Sequence, residues 1–290
     1  MKKTILCYNK DEDVYQSDGL FMDLHVKEYF CQFTSKTPNG HFHRVIPLHE
    51  TPDIHWDQIT QLMPNLNKGW YELSQLKSKD RIELVCDFWI NKMPFCPKLT
   101  EFILDFFNSL DDIGIFVTQQ MFDSPFKAYL VYSLKDNSGF FRGELGATDE
   151  EIRKLKLSFP DFILPEDYLA FLEIHNGFSK STDSGIIPTS KVPEVYWKLQ
   201  DLLDEPKEPL ITPNGKAVDP RTLIPYYESF TLPCYHCFWA EWYPGQEMGN
   251  IYYSALTNTI SDCSSNDASP ENLAFPSFSH WLMFYLEKIE

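Results

Sequence analysis

The chain has 290 residues, with 25 Lys and Arg against 42 Asp and Glu, a formal charge of −17, and an aromatic share of 16%. That length exceeds most single hydrophobic cores and predicts two domains, while the charge disfavours phosphate backbones and anionic lipid as partners. The acidity is lopsided: residues 1–143 carry 15 basic and 19 acidic side chains, residues 144–290 carry 10 and 23, so the second half would steer a basic protein partner, with plain solubility as the competing explanation.

Met1-Lys2-Lys3-Thr4-Ile5-Leu6-Cys7-Tyr8 opens like a signal peptide, but Asn9-Lys10-Asp11-Glu12-Asp13 stops the apolar run too early for one. No apolar run approaches the roughly 18 residues of a membrane span. Seven cysteines, an odd number scattered along the chain, suit reduced thiols. The expectation is a cytoplasmic protein with no membrane or nucleic-acid partner.

In chain order, residues 20–46 read as a β-hairpin: Leu24, Val26 and Phe30 sit at even spacing and Pro38-Asn39-Gly40 is turn chemistry. His41, His43, His49 and His55 suggest a metal site, opposed by Pro47 and Pro52 and by the lack of a fixed Cys or carboxylate beside them. Trp56–Met63 and Trp70–Leu76 are short helices. Asp80 and Glu83 form a capping box before the stripe Ile82, Val85, Cys86, Trp89, Ile90 and Met93. Leu99, Phe102, Ile103, Phe106 and Leu110 mark a further helix, then residues 113–119 and 128–134 read as strands. Asp136-Asn137-Ser138-Gly139 with Gly143 and Gly146 is the predicted boundary between a domain of residues 1–143 and one of residues 144–290.

The second half opens on Thr148-Asp149-Glu150-Glu151, a capping box, and its helix ends at Phe159-Pro160. The next helix, Leu164–Gly177, has Pro165 at its first position, Glu166 and Asp167 against the dipole, His175 in its last turn and Asn176-Gly177 as a left-handed cap. Gly185-Ile186-Ile187-Pro188, a helix over 192–203 with Val195, Leu199 and Leu202 inward, Leu223-Ile224-Pro225, Cys237-Phe238-Trp239-Ala240, Gly249-Asn250-Ile251-Tyr252-Tyr253 and a final helix from Ser277-Phe278 follow. Taken in order, residues 144–290 resemble the SUKH superfamily, which includes the Smi/Knr-type proteins; residues 1–143 carry no recognised family pattern. The resemblance implies an α+β fold, a mainly antiparallel sheet flanked by helices, here preceded by a smaller α+β domain. It also implies a protein-interaction module, as in immunity proteins that neutralise toxins and in eukaryotic scaffolds. Residues 204–220 depart from the pattern and read as an inserted hairpin around Asn214-Gly215.

Cys234-Tyr235-His236-Cys237 has zinc or redox spacing, but on a strand residues three apart face opposite ways. Asp111-Asp112 and Glu150-Glu151 read as solvated carboxylates at helix ends. No catalytic, metal or cofactor site is expected. The alternatives are an intracellular adaptor, or an enzyme with a site around His41, His43, His49 or Cys234. The residues expected to meet a basic partner are the loop-proximal acids Asp201, Asp204, Glu205, Glu208 and Glu247.

Overall fold

The computed structural model describes residues 22–35, 37, 40–204, 209–213, 215–230, 232–240, 249–257, 259–262 and 274–287. The fold is α+β, and within each of its two units the strands pair antiparallel. Two compact units emerge: Met1–Asp87 with Phe107–Leu145, and Phe88–Phe106 with Gly146–Glu290. In place of a single break at 143/144, residues 88–106 group with the second unit.

The first unit starts with a correction. Residues Leu24–Tyr29 form helix α1, not a strand, and β1 is only Arg44–Pro47. Val26 and Phe30 are four apart as well as evenly spaced, and Asp23 supplies the N-cap, accepting from His25 N at 2.7 Å. Both residues are buried in a cluster with Met22, Phe42, Val45, Phe116, Val131 and Phe140. Helices α2 (Trp56–Leu62) and α3 (Lys68–Ser74) follow. Helix α4 (Ser78–Lys92) begins two residues before Asp80, which lies within the first turn and is no cap.

Helix α5 (Leu99–Asn108) leads into β2 (Leu110–Gln119) and β3 (Phe126–Leu134). The glycine-bearing stretch expected as a linker forms another hairpin instead. Asp136, Asn137 and Gly139 take positive φ of 62°, 53° and 103°, and β4 (Phe140–Glu144) returns along β3 with Val131 opposite Arg142. Asp23 fastens this turn: its Oδ2 accepts from Gly139 N at 2.6 Å and its own N donates to Ser133 Oγ at 2.7 Å.

The second unit begins with α6 (Asp149–Ser158), where Thr148 and Glu151 cap each other as expected. Helix α7 is Glu166–Ile174, with Pro165 as its N-cap and His175 as an extended C-cap. The Leu164–Gly177 reading was therefore too long at both ends. Gly177 does have φ +111°, but it turns the chain into β5 (Phe178–Lys180) and caps no helix. Strands β6 (Gly185–Ile186), β7 (Leu223–Glu228), β8 (Cys234–Trp239), β9 (Gly249–Ser254) and β10 (Thr259–Asp262) complete an antiparallel meander. Helix α8 (Val192–Asp204) packs on β7, and α9 (Phe278–Leu286) on α7. On either side of Asn214, which lies outside the described residues, residues 210–213 and 215–218 pair antiparallel where a small hairpin is expected, with Ile211 opposite Ala217 and Val218 N donating to Leu210 O at 2.9 Å.

The core of this unit is aromatic. Trp89, Phe171, His175 and Phe178 meet with ring centroids 5.3–6.4 Å apart, and Tyr168, Tyr226, Phe238, Phe278 and Trp281 continue the cluster. Trp89 explains why residues 88–106 belong here. Its side chain is fully buried against α7, and Lys92 pairs with Glu173. Burying an indole of that size outweighs the chain order that places it in the first half.

Candidate functional site

The histidines of the first unit are spread over separate neighbours. His41 stacks on Tyr29, His43 meets Phe122 edge-on, His49 receives a hydrogen bond from Ile115 N at Nδ1 (3.1 Å), and His55 N donates to Gln58. Among the described residues no three metal-ligating side chains converge. Burial lowers the His49 pKa, opposed by the nearby Glu50 and Asp112 carboxylates.

Asp111 and Asp112 differ from their reading as solvated helix-end carboxylates. Both are buried in β2, and the register shifts between Leu110 and Asp112, a bulge at Asp111. Asp112 holds the Arg81 guanidinium through two bonds of 2.6 and 2.8 Å, while Arg81 Nε donates to Ile113 O at 2.6 Å. Burial raises the Asp111 carboxyl to about 6, opposed by a hydrogen bond from Ser133, and its Oδ1 has no partner among the described residues. Glu150 instead pairs with Arg153 on the surface of α6.

In the second unit the chemically versatile side chains are committed to the core. Cys234 and Cys237 lie on β8, which is buried along its whole length. The Cys234 thiol lies 3.7 Å from Ser254 Oγ, and burial pushes the Cys237 thiol well up. His236 is enclosed by Tyr227, Tyr252, Phe275 and Trp281, and burial alone lowers its pKa to about 3. Expected in the last turn of α7 facing its dipole, His175 is the buried C-cap, stacked on Phe178. Cys263, the loop thiol that a zinc site at Cys234 and Cys237 would recruit, lies outside the described residues.

Asp183 sits in a dense polar environment. Its carboxylate accepts from the hydroxyls of Tyr227 (2.8 Å) and Tyr285 (3.0 Å), and from Ser184 N and Phe230 N. It ties the turn before β6 to β7 and to the end of α9, a structural use of a charge.

Of the expected partner-contacting acids, Asp201 and Asp204 are exposed on α8, while Glu205, Glu208 and Glu247 lie outside the described residues. Val192, Val195, Leu199 and Leu203 face inward; Leu202, expected inward, is only half-buried. The opposite face carries Glu194, Trp197, Asp201 and Asp204. Trp197 is 65% exposed and was missed in the sequence, where its spacing with the three acids was the available signal. Its ring rests edge-on against Tyr196 (5.2 Å), which meets Phe159 (5.3 Å) and donates to Arg221 O at 3.0 Å. Neither Asp201 nor Asp204 forms an ion pair among the described residues; Lys198 and Lys191 are engaged by Glu228 and Glu194.

No protein-family model matches the chain, and no characterised protein matches its sequence. Among the described residues no helix is long and apolar enough to cross a membrane.

Proposed function

We propose that this protein is a non-enzymatic binding module of the cytoplasm whose second unit captures a basic protein. One observation carries the reading. In that unit His175, His236, Cys234 and Cys237 are buried in core packing, whereas Asp201 and Asp204 face solvent without an ion pair among the described residues. Such a division suits recognition by charge better than catalysis, which needs its reactive groups within reach of a substrate. The resemblance of residues 144–290 to SUKH proteins, a family of protein-interaction modules, supports the same reading. A toxin neutralised by an immunity protein is the partner class that this resemblance brings forward.

Co-purification of the tagged full chain from its native cell tests the proposal. The expected result is a basic protein that is released as salt rises. A partner of acidic or neutral character, held equally well at high salt, would overturn the electrostatic reading.

A further inference from the structure

We propose that the outer face of α8 is the contact surface, and that its occupant is a lysine- or arginine-bearing segment of a basic protein, with one cation seated over the Trp197 indole between the carboxylates of Asp201 and Asp204. The inference rests on the proposed basic partner and adds where and how that partner is held.

The helix geometry gathers the group. At 100° per residue, positions 194, 197, 201 and 204 fall within about 80° of one another, and all four side chains are exposed. An indole is the most favourable aromatic platform for a cation, and an exposed tryptophan is a frequent anchor of protein interfaces. This one is restrained, because Tyr196, itself fixed by Phe159 and the Arg221 carbonyl, supports its edge. A restrained aromatic gives up little conformational freedom on binding.

The position of the acids is a second, independent indication. Asp201 and Asp204 stand in the final turn of α8, which contains no basic residue. Carboxylates at the negative end of the helix dipole oppose the stability of their own helix. Fold stability therefore gives no reason for them, whereas a partner's cation would neutralise both the side chains and the helix end.

The test uses the full-length protein labelled with 15N at its tryptophan indoles, the Trp197 resonance being assigned by Trp197→Phe, and an octa-arginine peptide as the probe at low salt. The expected result is a selective shift of the Trp197 indole resonance, binding weakened about tenfold by Asp201→Asn with Asp204→Asn, and a similar loss for Trp197→Ala. Unchanged dispersion of the other indole resonances shows that each variant remains folded. If calorimetry detects binding while the Trp197 resonance stays still and the variants bind normally, the location is overturned and the basic-partner reading survives. If the folded protein binds no peptide at low salt, both are overturned.

Discussion

At the scale of single residues, His236 couples the stability of the second unit to pH. It is enclosed by aromatic rings, and its Nδ1 has no hydrogen-bond partner among the described residues. The folded state keeps it neutral down to about pH 3, whereas the unfolded chain takes up the proton near 6.5. The unfolded state therefore binds more protons, and stability is lost as pH falls from 6.5 towards 3, at up to about 1.4 kcal/mol per pH unit. Unfolding followed by urea titration between these limits should show this slope, and His236→Phe should flatten it. An equally steep slope in the variant would assign it elsewhere. Asp111 acts with the opposite sign: its raised pKa means that the first unit gains stability as pH falls through about 6 towards 3.8. At Gly177, φ is +111° and a Cβ would sit 3.0 Å from Pro188 Cγ. Gly177→Val should destabilise the second unit by about 1 kcal/mol or more, through backbone strain and not through a lost helix cap. Unchanged thermal unfolding would contradict this.

At the scale of elements, the helices with complete local signals were legible in the sequence. Thr148 and Glu151 mark α6, and the apolar spacing of α8 and α9 gives their inward faces. Elements decided by distant partners were less so. Residues 24–29 have a pattern that fits two periods, and the hydrogen bonds Asp23 makes with Ser133 and Gly139, over a hundred residues away, accompany the helical choice. Turn residues 136–139 look alike whether they end a domain or join two strands; only the pairing of β3 with β4 decides. Nor can sequence order reveal that Trp89 completes a core built from residues beyond 146. Two consequences follow. Trp89→Ala should cost the second unit about 3–5 kcal/mol, and a fragment of residues 146–290 should lack the cooperative unfolding shown by residues 88–290. Cooperative unfolding of equal midpoint in both fragments would show that the helical segment is dispensable. In the first unit, Arg81→Met strands Asp112 as a buried charge and should cost about 3–5 kcal/mol; a change within experimental error would mean that water reaches the carboxylate.

At the scale of the molecule, the acidic excess was plain in the composition, but its use was not. Of the acids singled out in the sequence, Asp201 and Asp204 share a helix face with an exposed tryptophan that charge counting overlooks, because Trp197 reads as one more aromatic in an aromatic-rich chain. The candidate site emerged only when the buried side of α8 was known, since the outward face is what remains. Candidate chemistry moved the other way: the Cys234–Cys237 spacing draws notice in the sequence and the fold buries both thiols in packing, while His41, His43 and His55 lie exposed beside separate neighbours. Titration calorimetry of the full-length protein with the basic protein it co-purifies with, repeated across ionic strengths, tests the central claim most directly. Electrostatic capture by the acidic face predicts an affinity that falls steeply as salt rises, with a shallower dependence for the Asp201→Asn and Asp204→Asn double variant; an affinity indifferent to salt in both proteins would contradict it.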